Sequence, residues 1–229
     1  MLPPELVSRG KSVRHEGATM LLLTDSAFEP VTLAELKAHA KLRASITVED
    51  DKLTGLIVAA RRVIEALTNK IIVQQVWEQT QDAMGSIYEC KRGPVISVEK
   101  LEYIPDFDAD TRVLYSSAGY TRSRNKIAAR SAWPTHRGWQ SWITTFKAGY
   151  ASHDSLTGLT DEQRTAAETA ARALIPHNLR EAVLQLAGHL YEHREGQPME
   201  IRYEVMAKNF ATIPANIFTL VHEFMSWRL

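Results

Sequence analysis

The spacing of apolar residues changes twice along this 229-residue chain, and that change limits the fold more than any single motif does. Leu53, Leu56, Ile57, Ala60, Val63, Ile64 and Leu67 recur at three- and four-residue steps, the period of one helix face. At Ile71 the pattern gives way to "IIVQQVWEQT", "GPVISVEKLEYI", "RVLYSS" and "SWITTFKAGY". These runs are rich in β-branched and aromatic residues, and glycine or proline lies between them. After residue 150 helical spacing returns. Strands gathered in one stretch do not alternate with helices, as a parallel sheet would require. The expected fold is therefore α+β, a helical bundle domain with an inserted antiparallel β region.

Local signals set the expected boundaries. Residues 1–30 carry prolines, glycines and mixed charge, most of them before Met20, and read as a flexible N-terminal arm. A helical domain begins over 31–70, where Thr32 and Glu35 have the spacing of a capping box. Thr47 and Asp50 repeat that spacing ahead of the second helix. The β insertion spans 71–150. The helical domain resumes over 151–229, with Thr160 and Gln163 capping an alanine-rich helix. A helix carrying Leu179, Ala182, Val183, Leu186 and Leu190 on one face follows, and a C-terminal docking helix opens at Pro214.

Composition removes several function classes. Lysine and arginine balance aspartate and glutamate at 27 each, so net charge alone gives no reason to expect a nucleic-acid or membrane partner. A single cysteine, Cys90, rules out an intrachain disulfide framework and fits a reducing compartment. The run "MLLL" is far shorter than the roughly 18 apolar residues of a membrane span, so a protein without a membrane partner is expected.

Two motifs imitate metal sites. His189 to His193 reads H-x-x-E-H, which on a helix brings two imidazoles to one face with Glu192 beside them as a base. A zinc hydrolase needs a third protein ligand, and no second motif supplies one. His189, His193 and Arg194 flank the buried stripe and are read as subunit-interface residues. Asp106, Asp108 and Asp110 begin like a calcium loop but lack its glycine and its terminal glutamate, so an acidic turn is expected. No metal, cofactor or catalytic residue is assigned.

Residues 111–150 hold seven lysines and arginines, no acid, and interleaved tryptophan and tyrosine. Such a stretch suits phosphate backbones and stacked bases, and it equally suits a protein interface or a solvated loop. "YTRSRNK" is expected as an exposed loop tip. Arg122, Arg124, Lys126 and Arg130 are its candidate DNA-facing or partner-facing residues, with contact to phosphate rather than to base edges. At the other end Phe218, Val221, Phe224, Met225 and Trp227 surround the last helix more than they stripe it. Either the chain's own helices wrap them or a partner does, and a partner is the reading taken for the distal ones.

The ordered series "VTLAELKAHAKL", "VEDDKLTGLIVAARRVIEALTNK", "IIVQQVWEQTQD", "RGPVISVEKLEYI", "FKAGY" and "LREAVLQLAGHLYEHRE" resembles the head–tail connector (adaptor) proteins of long-tailed bacteriophages. The resemblance runs from about residue 31 to 195 and implies a structural subunit of the virion neck. It further implies a ring of about a dozen copies beneath the portal protein, extending the channel through which DNA passes without sequence specificity. A terminal segment would dock on the portal, and a further neck or tail-completion protein would sit beyond the ring. Such a protein would be found in the virion, and in the host cytoplasm before assembly. Relatives of this kind commonly carry asparagine at the place of His193, which argues against a zinc pair. The long arm before Met20 and the alanine-rich helix near 160–174 depart from the family pattern. The competing readings are the zinc hydrolase and a small non-specific DNA-binding protein.

Overall fold

The computed structural model describes residues 12–15, 18–106, 111–153, 156–193 and 213–225. Two units emerge, and each is assembled from two separate stretches of chain: 1–27 with 74–152, and 28–73 with 153–229.

The first unit is built of antiparallel strands. They are β1 (Ser12–His15), β2 (Ala18–Thr24), β3 (Gln75–Gln81), β4 (Tyr88–Glu89), β5 (Val95–Tyr103), β6 (Val113–Leu114), β7 (Tyr120–Ser123), β8 (Lys126–Ala129) and β9 (Trp142–Ala148). One six-stranded sheet has the order β1-β2-β3-β9-β5-β6, and a three-stranded sheet has the order β4-β8-β7. Register places Trp77 opposite Phe146 and Gln79 opposite Thr144, so that these four side chains share the buried face. Trp142 and Phe146 are wholly buried there, and each such side chain contributes about 1.5–3 kcal/mol. The other face carries polar pairs. Arg112 donates to Glu78 at 2.8 Å and lies 3.7 Å from Glu102, and Lys147 lies 3.5 Å from Glu99.

Two expectations change here. The arm over 1–30 is not what residues 18–24 form, since β2 pairs with both β1 and β3. Ala18 and Met20 are buried through simple alternation. In the sequence that alternation is hidden, because Leu21, Leu22 and Leu23 follow one another. Ile71, Ile72 and Val73, expected to open the β region, are fully buried in the helical unit instead, and the strand starts at Gln75.

The second unit contains α1 (Leu33–His39), α2 (Asp50–Thr68), α3 (Asp161–Arg172), α4 (His177–Glu192) and α5 (Ala215–Val221). Helix α4 is its centre and packs against α1, α2 and α5. Its buried residues Leu179, Ala182, Val183 and Leu186 face a core shared with Leu53, Ile57, Ala60 and Ile64 of α2. Thr32 and Glu35 form the expected capping box at α1, and Thr160 and Gln163 form theirs at α3. The box expected from Thr47 and Asp50 does not form. Helix α2 starts at Asp50, with no side-chain cap bond and with Asp50 and Asp51 in its first turn, where the helix dipole favours them.

A buried charge network ties α2 to the segments on either side. Arg61 is 1% exposed and gives its Nε to Glu29 at 2.8 Å and its Nη1 to Glu65 at 3.2 Å. Glu65 in turn accepts the Ile72 N–H at 2.9 Å. A buried guanidinium is tolerable only with such partners, because an unpaired charge in the interior costs several kcal/mol.

Candidate functional site

The basic stretch folds as a hairpin, β7 to β8, with Arg124 and Asn125 at its turn. Arg124 adopts a positive φ of 52°, the conformation a tight turn between paired strands demands. The tip is exposed, as expected, and it is also anchored. Asn125 accepts the Val95 N–H at its Oδ1 (3.0 Å), while its backbone carbonyl accepts the Cys90 N–H (2.8 Å). Gly93 lies so close beneath that a Cβ there would stand 2.1 Å from the Asn125 amide nitrogen. Any larger residue at Gly93 would push the Asn125 side chain off its bond to the Val95 N–H.

The four candidate basic residues consequently divide into two pairs. Arg122 donates to the carbonyls of Val95 (2.9 Å), Ile96 (3.0 Å) and Arg124 (3.1 Å), and Arg130 donates to the Tyr120 carbonyl at 3.2 Å. These two guanidiniums satisfy backbone acceptors and fasten the hairpin to the start of β5 and to itself. All four are exposed, and Arg124 and Lys126 stand on the turn and at the start of β8. Nearby, Cys90 is buried. Burial pushes its thiol up to about 12, against the pull of the Arg122 charge and with a further push from Glu89, so it stays a neutral thiol at pH 7.

Several aromatic residues of the same stretch turn inward upon one another, whereas Trp139 is 60% exposed beneath the Arg137 guanidinium. Trp142 meets Trp133 edge-on at 5.2 Å, Tyr103 at 5.3 Å and Tyr115 at 6.0 Å. The Trp133 indole N–H donates to the Gly85 carbonyl at 2.9 Å. Their interleaving with arginine in the sequence therefore reflects a packed cluster, in which edge-to-face rings stabilise beyond the area they bury.

His189 and His193 do share a helix face, with ring centroids 4.2 Å apart. The His193 Nδ1 lies 3.1 Å from the His189 carbonyl at the end of α4. His189 titrates below its ordinary value, first because of partial burial and then because of His193, with Glu192 acting the other way. Among the described residues no group of three or more histidines, cysteines, aspartates or glutamates is placed to hold a metal ion. Arg194, the third residue of that expected interface, lies outside the described residues, as do Asp108 and Asp110 of the acidic turn.

The terminal helix is less free than expected. Ile217 and Val221 are 0% exposed, one turn apart on the face that packs on α4. Asn178 donates to Glu223 at 2.9 Å and Asn216 to Gln185 at 2.7 Å across that contact. Val221 is thus part of the unit's own core and is withdrawn as a docking residue. Phe218, Phe224 and Met225 remain half-buried at its border, and Trp227 lies outside the described residues. No helix among the described residues is long and apolar enough to cross a membrane.

One surface went unmarked in the sequence. The connection between α1 and α2 leaves Val48 93% exposed, and an isolated valine in a polar loop gives no periodic signal that would show it.

No family model and no curated protein matches this chain. Solved structures do. The fold is similar to a chain in the neck of an empty gene transfer agent (GTA) particle computed with C6 symmetry. That match has 21% identity and a TM-score of 0.63 and covers 92% of this chain and 96% of the other. A chain in the virion of a native GTA particle matches equally well, at 21% identity, a TM-score of 0.63 and the same coverage. A chain in the neck of a native GTA particle computed with C12 symmetry has 20% identity and a TM-score of 0.60, over 91% of this chain and 97% of that one. At such identity the likeness establishes the fold, and it extends over both units.

Proposed function

We propose that this chain is a structural subunit of the neck of a phage-like particle, one copy of a ring that joins head to tail. The observation that carries the reading is the whole-length match, over nine-tenths of each chain, to chains from GTA necks and a GTA virion. A resemblance read from ordered sequence segments and a likeness of backbone arrive at the same class of particle independently. The buried, neutral Cys90 is consistent with a role that uses surfaces rather than a reactive thiol.

In this reading Arg124 and Lys126 are the basic residues turned toward DNA or a neighbouring neck protein, while Arg122 and Arg130 hold the hairpin that presents them. Contact through the charges of Arg124 and Lys126 in each copy would be to phosphate, additive around a ring and sensitive to salt. The border residues Phe218 and Met225 of the terminal helix meet the portal. Changing Phe218 to aspartate tests this better than removing the helix, since Ile217 and Val221 are needed by α4.

The test is electron microscopy of the chain co-expressed with the portal protein of its own particle. A ring of this chain stacked on the portal is expected. A chain that leaves the portal bare and forms no ring overturns the proposal.

A further inference from the structure

Of the chain's eight histidines only His189 and His193 stand four residues apart, and the last turn of α4 brings both to one side. A hydrolytic zinc site would need a third protein ligand, and among the described residues none is placed to serve. Two imidazoles can still chelate without one, provided that their turn is fixed and each ring offers a lone pair.

The turn is fixed by its neighbours. The Tyr191 hydroxyl donates to Glu49 Oε2 at 2.7 Å. Gly188 lies so close to His39 of α1 that a Cβ there would stand 2.7 Å from the ring. The His189 carbonyl accepts the His193 N–H at 3.0 Å and lies 3.1 Å from the His193 Nδ1. A carbonyl can only accept, so that Nδ1 carries a proton, and in the neutral ring the lone pair is left on Nε2. Histidines that ligate metals are commonly set in this way, one nitrogen donating to a carbonyl while the other ligates. The His189 ring lies beside it, with 4.2 Å between centroids and 33° between planes. His189 is half-buried and His193 exposed, so ions in solution can reach the pair. An ion held by both would sit about 2.0–2.1 Å from one nitrogen of each ring, and rings already this close need only small side-chain rotations to meet it.

We infer that His189 and His193 form a two-point chelate for a late divalent transition metal, the class of copper(II), nickel(II) and zinc(II) that imidazole suits. Calcium and magnesium, which take oxygen ligands, do not fit it. Water fills the remaining positions, so the ion exchanges freely and carries out no hydrolysis. It acts as a clip, tying the residue that ends α4 to one a full turn inside the helix. The chelate belongs to α4 itself and does not depend on the neck reading.

The test is calorimetric titration of the full chain, purified without a histidine tag, with zinc chloride and with copper sulfate at pH 7.5. One ion per chain should bind more tightly than any other. His189→Asn or His193→Asn should each weaken that site by about tenfold or more, because the second imidazole acts at a high effective concentration once the first has bound. His177→Asn, at the opposite end of α4, should leave the affinity within about twofold, as expected for a distant and independent site. In the wild type, substoichiometric copper(II) should broaden the amide signals of residues 188–193 before all others. Equal affinities in the wild type and both chelate variants, or broadening that begins elsewhere, would overturn the chelate. Should an asparagine variant lose its helical circular dichroism, the broadening pattern of the wild type decides.

Discussion

Helices α3 and α4 are neighbours in the chain and opposites in what holds them. Leu179, Ala182, Val183 and Leu186 of α4 are buried against three other helices, so its place is dictated by a core. Helix α3 has one buried residue. Its order comes from its own ends and sides, through the Thr160–Gln163 capping box and a run of ion pairs in which Glu168 lies 3.0 Å from both Arg164 and Arg172. Core-built helices survive changes at their surface. A helix built from local terms responds to each of them, and it keeps its outward face available for another molecule.

The sharpest way to break this comparison is Leu186→Ala, which empties a buried site and should cost about 2–5 kcal/mol in denaturant unfolding. A cost no larger than that of changes in α3 would mean α4 is not the core element. Thr160→Ala removes one cap and should cost α3 about 0.5–2 kcal/mol. Amide exchange in 161–172 should report it, with α4 amides unmoved. Ala170→Gly on the exposed face should loosen the same amides by about 1 kcal/mol, the ordinary helix penalty of glycine. The smallest effect is at His189 on α4. Its folded pKa lies below the unfolded value of 6.5, because burial and His193 outweigh Glu192. The unfolded chain therefore binds protons first, and stability present above that pH should decline as pH falls through it. In His189→Asn the thermal midpoint should change less between pH 7 and pH 5.5 than in the wild type; an identical change would show that His189 is not the group responsible.

What could be read from the sequence was what short-range chemistry decides. The caps at Thr32 and Thr160 and the stripes of α2 and α4 depend on residues three or four apart, and all of them are present in the fold. Strands β3, β5 and β9 were visible as β-branched and aromatic runs. The misses have a common cause in distance along the chain. Arg122 is exposed as expected, but its hold on the hairpin could not be read because its acceptors, Val95 and Ile96, lie 27 and 26 residues away. Val221 looked spare because its cover is α4, whose buried residues lie more than thirty positions earlier in the chain. Residues 18–24 looked like part of an arm because their partner strand begins at Gln75. Of the surfaces described, the basic tip was legible only by residue type. The Val48 loop was not legible at all, since exposure of a single valine leaves no pattern.

Both units are stitched from the two ends of a detour, and this has a consequence for how the molecule is made. When α1 and α2 leave the ribosome, the helix they must pack against has not been translated: Arg180 finds its acceptor at Pro30 only after 150 further residues have been added. Strand β2 likewise waits for β3 while the whole of 28–73 is synthesised between them. The strand unit has all its strands once Ala148 is out, but the helical unit waits for α4 and α5, so the newborn polypeptide carries greasy helix faces until nearly all of it has emerged, the interval in which a holding chaperone would matter most.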